Sequence, residues 1–242
     1  MHSTESLKGR QVILVGGSGG IGSAVTELLL SEGADVVIGY RRNRERALRW
    51  QDRAVIVQAD LAAAADRARL LDAMPHIYGL VVLAGDPARF TGPAEMDGAM
   101  RLSHEANYLG PILLAREAVA RMKASSTPGA IVLISTMQAN ALFPGSTVYA
   151  AQKVALQHAA LILAKECRGA ANIRVNVVSP GITAAGMAEA SIASGKYDRF
   201  LTEGVIGRFG KAGDVARAIR FLLEPDSYIT GQVLCVDGGI TL

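Results

Sequence analysis

Short β-branched runs, each closed by a glycine or polar turn and followed by a helical pattern, set the rhythm of the chain. Seven of them read as strands: QVILVGG, DVVIGY, AVIVQAD, GLVVLAG, AIVLIST, IRVNVVS and QVLCVDGG. They are continuous apolar runs rather than alternating ones, as expected where helices cover both faces of a parallel sheet. Between them the pattern changes to the helical period. Ile21, Ala24, Val25, Leu28 and Leu29 fall at i, i+3, i+4, i+7 and i+8, one buried face of a helix. Val215, Ala218, Ile219 and Leu222 repeat it near the C-terminus. With no linker-like segment and no internal repeat, this alternation predicts one α/β domain over residues 1–242, a single doubly wound parallel seven-stranded sheet with helices on both faces. Residues 182–208 lack a strong strand signal, are rich in Ala, Ser and Gly, and follow a strand end, where ligands bind in such sheets. They read as a substrate segment, though one without a charged clamp that can be assigned.

Composition narrows the classes. Of 242 residues, 50% are hydrophobic and 19% charged, ample for one large core. No apolar run reaches the ~18 residues of a membrane span. The opening MHSTESLKGR has no apolar signal region, which argues against export. Cys167 and Cys235 have neither metal-ligand nor CxxC spacing and read as reduced thiols, so a cytoplasmic protein is expected. The formal charge is +3. It is locally concentrated, with six arginines in RRNRERALRWQDR, residues 41–53. That run reads as a solvated helix face with Trp50 as its partly buried anchor; nucleic-acid binding would need aromatics or a wider basic surface. His104 and His158 lie in helical patterns with no partner cluster, so no metal site is expected.

VGGSGGIG, residues 15–22, stands directly between the first strand and the first helix. Strand–turn–helix placement is what gives a glycine pattern meaning. Gly16 allows the tight turn, Gly20 a close backbone approach to a pyrophosphate, and Gly22 close contact of helix and strand. The helix N-terminus then offers unpaired N–H groups to phosphates, with Ser18 as an added hydroxyl. Further along, Tyr149 and Lys153 lie one helical turn apart and share a face. A free Tyr, with a pKa of about 10, is a poor base at neutral pH. A nearby ammonium is expected to stabilise the phenolate and lower that pKa toward the range useful for acid–base work.

The spacing of Gly16, Gly20 and Gly22 resembles the glycine loop of the short-chain dehydrogenase/reductase family, whose domain is a Rossmann fold. The resemblance extends over essentially the whole chain, and within the family the pattern is closest to 3-oxoacyl-[acyl-carrier-protein] reductases. It implies that Asp60, in QADL, contacts adenine beside Leu61, and that Ala84 and Gly85, in LAG, lie along the cofactor. Asn107, in EANYLG, matches the helix Asn that holds a water in a proton relay through a local helix irregularity. Pro180, Gly181 and Ile182 match the turn beside the nicotinamide, and YITGQVLCVDGG resembles the C-terminal signature. Ile21 joins the cofactor contacts, as do Tyr149 and Lys153, the latter holding the nicotinamide ribose. The family's catalytic Ser falls at Thr136 rather than Ser135, and Thr136 is taken as the working hydroxyl that orients the substrate carbonyl. The catalytic set is therefore Asn107, Thr136, Tyr149 and Lys153. The helix after Tyr149, with its stripe of Ala151, Ala155 and Ala159, commonly forms the family's main oligomer contact, so a homo-oligomer, dimer or tetramer, is implied.

At the end of the second strand an acidic residue reads the ribose 2′-hydroxyl, whereas Arg accommodates a 2′-phosphate. By alignment to the family that position is Tyr40, followed by Arg41 and Arg42, so NADP(H) is favoured over NAD(H). Gly19 stands where many NADP-dependent relatives carry a basic residue. Other departures are VLAG for NNAG, Gln152 in YAAQK for Ser, and Ala185, with Thr183 nearby, for a Thr that meets the carboxamide. The implied activity is interconversion of a carbonyl and a secondary alcohol on a small molecule, including 3-oxoacyl thioesters, with Tyr149 as general acid or base. The alternative is a catalytically silent NADP(H)-binding sensor or scaffold. A nucleotide-sugar epimerase or dehydratase is disfavoured because the chain has no separate C-terminal substrate domain.

Overall fold

The structure, a computed structural model, describes residues 7–242. Seven strands form one parallel sheet: β1 Gln11–Val15, β2 Asp35–Tyr40, β3 Val55–Gln58, β4 Ile77–Val82, β5 Gly129–Ile134, β6 Ile173–Pro180 and β7 Val233–Val236. Their spatial order is β3-β2-β1-β4-β5-β6-β7, and every neighbouring pair is parallel. The order reverses between β1 and β4, which opens a crevice at the carboxyl ends of those strands. The helices are α1 Gly20–Ser31, α2 Arg44–Leu48, α3 Ala64–Asp72, α4 Met96–His104, α5 Gly110–Ala124, α6 Thr147–Glu166, α7 Glu189–Ala193, α8 Arg199–Thr202 and α9 Ala212–Leu223.

Side chains alternate across each continuous apolar strand, so a single run feeds two cores. Val12 and Leu14 of β1 join Val25 and Leu29 of α1 and Val215, Ile219 and Leu222 of α9 on one face. Ile13 and Val15 join Leu70 of α3, Leu114 and Met122 of α5, and Leu156 and Leu163 of α6 on the other. Each fully buried Leu or Ile contributes about 1.5–3 kcal/mol relative to exposure. Arg220 of α9 meets Glu32 after α1 at 2.7 Å, and Arg67 of α3 meets Glu117 of α5 at 2.9 Å, tying the helices within each layer. Trp50 packs at the margin of the α1/α9 core, as an anchor does.

The run QVLCVDGG yields only the short, half-exposed β7, because its last glycines turn away with positive φ, Gly238 at 69° and Gly239 at 87°. Residues 182–208 fold back over the strand ends as a 3₁₀ turn, α7 and α8, pinned by a Thr183–Gly210 bridge. Among the described residues no helix is long and apolar enough to cross a membrane.

Candidate active site

One continuous cavity of about 1250 Å³ runs across the carboxyl ends of the strands. That exceeds the ~300–1,000 Å³ of ordinary ligand pockets, leaving room for a dinucleotide and a substrate together. Gly16, Ser18, Gly20, Ile21 and Gly22 line its floor. Gly16 has φ of 84°, and a Cβ there would stand 2.9 Å from the Ala84 amide nitrogen. At Gly22 an added Cβ would fall 2.0 Å from the Gly16 carbonyl oxygen, so only glycine lets α1 start this close to β1. At Gly20 the crowding neighbour is the Gly186 nitrogen, 2.4 Å from a built Cβ, which seats the substrate segment on the glycine loop. No side chain caps the α1 N-terminus at Gly19. Unpaired helix donors at a cavity wall fit a pyrophosphate.

At one end lie Tyr40, Arg41, Asn43 and Arg46. Asn43 caps α2 by accepting the Arg46 N–H at 3.0 Å, and Gln58 Nε2 donates to the Arg41 carbonyl at 3.1 Å. Arg42 does not line the cavity; Arg46, four residues on, does. The family resemblance pointed to the residues just after the strand and missed the first turn of α2. Asp60 and Leu61 also stand outside the lining. Asp60 accepts the Ala62 N–H at 3.1 Å and donates its own N–H to Asp66 at 2.8 Å, while Leu61 is buried beneath Gly110.

In the middle, Leu83, Ala84 and Gly85 follow β4, and Pro180, Gly181 and Ile182 follow β6. A Cβ on Gly85 would meet Asn107 Oδ1 at 2.8 Å and Lys153 Nζ at 3.7 Å, so these two polar groups converge over this glycine. Asn107 is fully buried in a π-helical turn, Glu105–Leu109, between α4 and α5. Its carboxamide clamps the backbone of Asp86, accepting the N–H at 3.0 Å and donating to the carbonyl at 2.9 Å. The Thr183 hydroxyl donates its proton to the Gly181 carbonyl at 3.2 Å, which leaves it as an acceptor only.

Tyr149 and Lys153 stand on the first turns of α6. Lys153 Nζ donates to the Ile134 carbonyl at 2.8 Å and lies 5.9 Å from the Tyr149 ring centre. The Thr136 hydroxyl faces the Tyr149 phenol closely enough to lower its pKa, and accepts the Gln138 N–H at 3.4 Å. Ser135 turns elsewhere: it accepts from Gln157 at 2.9 Å within a network reaching Asn140 and Ser179. The expected lowering of the Tyr149 pKa is not seen. Tyr149 is half-buried at the cavity wall, and burial pushes its pKa up to about 12, with only partial offset from Thr136. Burial likewise pulls Lys153 down to about 8. Desolvation dominates both shifts, and the Lys153 ammonium donates to the Ile134 carbonyl rather than to the phenol.

The far end is walled by Phe90, Phe143, Met187 and Tyr197 and carries Arg89 and Lys196. Arg89 donates to the Met187 carbonyl at 3.0 Å, and Lys196 lies 5.6 Å from the Tyr197 ring centre. The substrate segment thus does bring a cation to the cavity, against the sequence reading; nothing in its local pattern marks Lys196. Gln152 finds its partner in His104 of α4, at 3.1 Å. Among the described residues no cluster of three or more His, Cys, Asp or Glu could hold a metal ion.

The fold and the cavity define a class, the doubly wound α/β oxidoreductases. A family model described as enoyl-(acyl carrier protein) reductase matches residues 16–241. An uncharacterized oxidoreductase of Methylorubrum extorquens is 32% identical over 248 residues, covering 97% of this chain and 98% of its own. An NADPH-dependent aldehyde reductase-like chloroplastic protein of Arabidopsis thaliana is 30% identical over 257 residues, covering 96% and 94%. A solved short-chain dehydrogenase/reductase family protein superposes with a TM-score of 0.86 at 32% identity, over 98% of this chain and 100% of that one. The chain belongs to the short-chain dehydrogenase/reductase family of oxidoreductases.

Proposed function

We propose that the protein is an NADP(H)-dependent reductase interconverting a small-molecule carbonyl and its secondary alcohol. The observation that carries the reading is that Tyr149, Thr136 and buried Lys153 meet in the one cavity floored by the glycine loop. The cofactor, when bound, supplies or takes the hydride. Thr136 orients the carbonyl by hydrogen bonding to its oxygen, and Tyr149 delivers a proton to that oxygen. The raised pKa keeps Tyr149 protonated and ready to donate at neutral pH. Lys153 holds the ribose and adds positive potential beside the phenol. Gly16, Ser18, Gly20, Ile21 and Gly22 receive the pyrophosphate, and Asp60 and Leu61 are assigned to the adenine side. Ala84, Gly85, Pro180, Gly181 and Ile182 flank the nicotinamide. Tyr40, Arg41 and Arg46 line the adenosine end with no acidic side chain among the described lining residues there, which favours a 2′-phosphate. The NADPH dependence named for the Arabidopsis relative points the same way. The reaction is assigned to the cytoplasm. A homo-oligomer is assigned to the α6 face, where Val154 and Ile162 are each 47% exposed; a solution mass equal to one chain would refute that.

The test is a panel of aldehydes, ketones and 3-oxoacyl thioesters with NADPH, alongside Tyr149→Phe, Thr136→Val and Ser135→Ala. Carbonyl reduction is expected to fall by ~10²-fold or more for the first two and only a few-fold for the third. Activity surviving in Tyr149→Phe overturns the mechanism. NADPH binding without turnover of any carbonyl supports the sensor alternative instead. An enoyl thioester in the panel distinguishes carbon–carbon double-bond reduction, which the matched family's description names, from carbonyl reduction.

A further inference from the structure

Ser103 lies one residue before the end of α4, is fully buried, and does not line the cavity. A serine inside a helix ordinarily bonds back to its own preceding turn. This one instead donates to the Val148 carbonyl in the first turn of α6, at 3.0 Å, and accepts the Asn107 Nδ2–H at 3.0 Å. A buried hydroxyl is costly unless such partners exist. Both partners flank the site. Val148 precedes Tyr149, and Asn107 is the residue whose carboxamide grips Asp86 beside Gly85.

Asn107 has two amide protons, both of which are used, and a carbonyl oxygen that accepts one hydrogen bond of the two it can take. One proton goes to the Asp86 carbonyl, the other to Ser103, and the oxygen accepts from Asp86 N–H. The carboxamide is therefore a fixed strut in the π turn, and Ser103 is the side chain through which that strut reaches α6.

We infer that Ser103 is a positioning residue: its hydroxyl locks Asn107 and the Tyr149-bearing first turn of α6 at one separation, which fixes where the phenol stands in the cavity beside Thr136. Its catalytic consequence rests on the proposed carbonyl reduction, but the locking itself can be read without turnover. With ¹³C-labelled tyrosine in the full chain, the Tyr149 resonance is assigned by its loss in Tyr149→Phe. In Ser103→Ala the Tyr149 resonance is expected to shift while that of exposed Tyr228 stays. The kcat for carbonyl reduction is expected to fall roughly tenfold, with the NADPH Kd unchanged within about twofold. Ser103→Cys, close in size and a weak donor, is expected to fall between, and carries the same readouts if the alanine variant does not fold. An unmoved Tyr149 resonance overturns the inference. So does an unchanged kcat, or a parallel loss of kcat, NADPH affinity and melting temperature, which marks mere scaffolding. If the wild type reduces no carbonyl, the functional reading fails, and the resonance alone supports or overturns the lock.

Discussion

Burial acts in opposite senses on the two central groups, because it penalises whichever form is charged. The phenolate of Tyr149 is disfavoured, so its pKa rises to about 12, and the ammonium of Lys153 is disfavoured, so its pKa falls to about 8. For Lys153 the folded pKa lies below its ordinary 10.5. Below pH 8 the lysine is charged in both states, and folding bears the full cost of burying the ammonium, at most about 3 kcal/mol. As pH rises from about 8 toward 10.5 the native lysine loses its proton first, and the cost is lifted. Tyr149 works oppositely, with stability lost between pH 10 and about 12. Replacing Lys153 by Met removes the first pH-dependent term and, at every pH, orphans the Ile134 carbonyl. The stability of Lys153→Met relative to wild type should therefore be higher at pH 7 than at pH 10 by about 2–3 kcal/mol, in urea unfolding at the two pH values. A relative stability independent of pH, or rising with it, would show that Lys153 is not buried as an ammonium. If the proposed carbonyl reduction needs the charged lysine, its rate should fall on the alkaline side from about pH 8, the pKa of Lys153, in a pH–rate profile.

At the scale of elements, the end of α9 shows how a buried cation serves the fold without touching the site. Arg174 of β6 is 5% exposed, yet donates to the carbonyls of Leu222 at 3.0 Å and Glu224 at 2.8 Å. Tyr78 of β4 donates to the Leu223 carbonyl at 2.6 Å and accepts from Arg174 at 3.3 Å. Positive charge at a helix C-terminus meets carbonyls that have no helical partner. Arg174→Met keeps much of the volume but orphans those acceptors, and should cost about 2–3 kcal/mol. In a chain of this size that is a melting-temperature drop of roughly 5–10 °C. A drop below about 2 °C would mean that water replaces the guanidinium without penalty. Elements of this kind explain what was legible beforehand. Strands, long helices and the glycine loop follow from local period and from close contacts that only glycine permits, so their places could be read from the pattern. Gln152 could not, because its partner His104 comes from another helix. The same holds for Arg46, Lys196, Ser103 and the Thr183 hydroxyl, whose proton goes to the Gly181 carbonyl. Each takes its role from a neighbour that only the tertiary fold supplies, and burial reversed the expected direction for Tyr149.

For the whole molecule, the topology gathers the carboxyl ends of β1, β2, β4, β5 and β6 around one cavity, from Arg46 at one end to Lys196 at the other. A ligand filling it touches both halves of the sheet as well as the substrate segment, which lies on Gly20 through Gly186. Binding to the folded state alone must then stabilise the whole domain by mass action. At free NADPH of 100 times Kd the gain is about 2.7 kcal/mol, a rise in melting temperature of roughly 5–10 °C. Two guanidiniums, Arg41 and Arg46, line the adenosine end and can pair with a 2′-phosphate that NADH lacks. If those contacts weaken NADH by 100-fold, the same concentration of NADH stabilises by only about 0.4 kcal/mol, a shift of about 1 °C. Arg41→Ala with Arg46→Ala should bring the NADPH shift down to the NADH value and leave the NADH value where it was. Differential scanning fluorimetry with matched NADPH and NADH reads both effects. Equal shifts for the two cofactors in wild type would remove the 2′-phosphate assignment. A double variant that still prefers NADPH would move that assignment away from Arg41 and Arg46, while leaving the glycine-loop end of the cavity untouched.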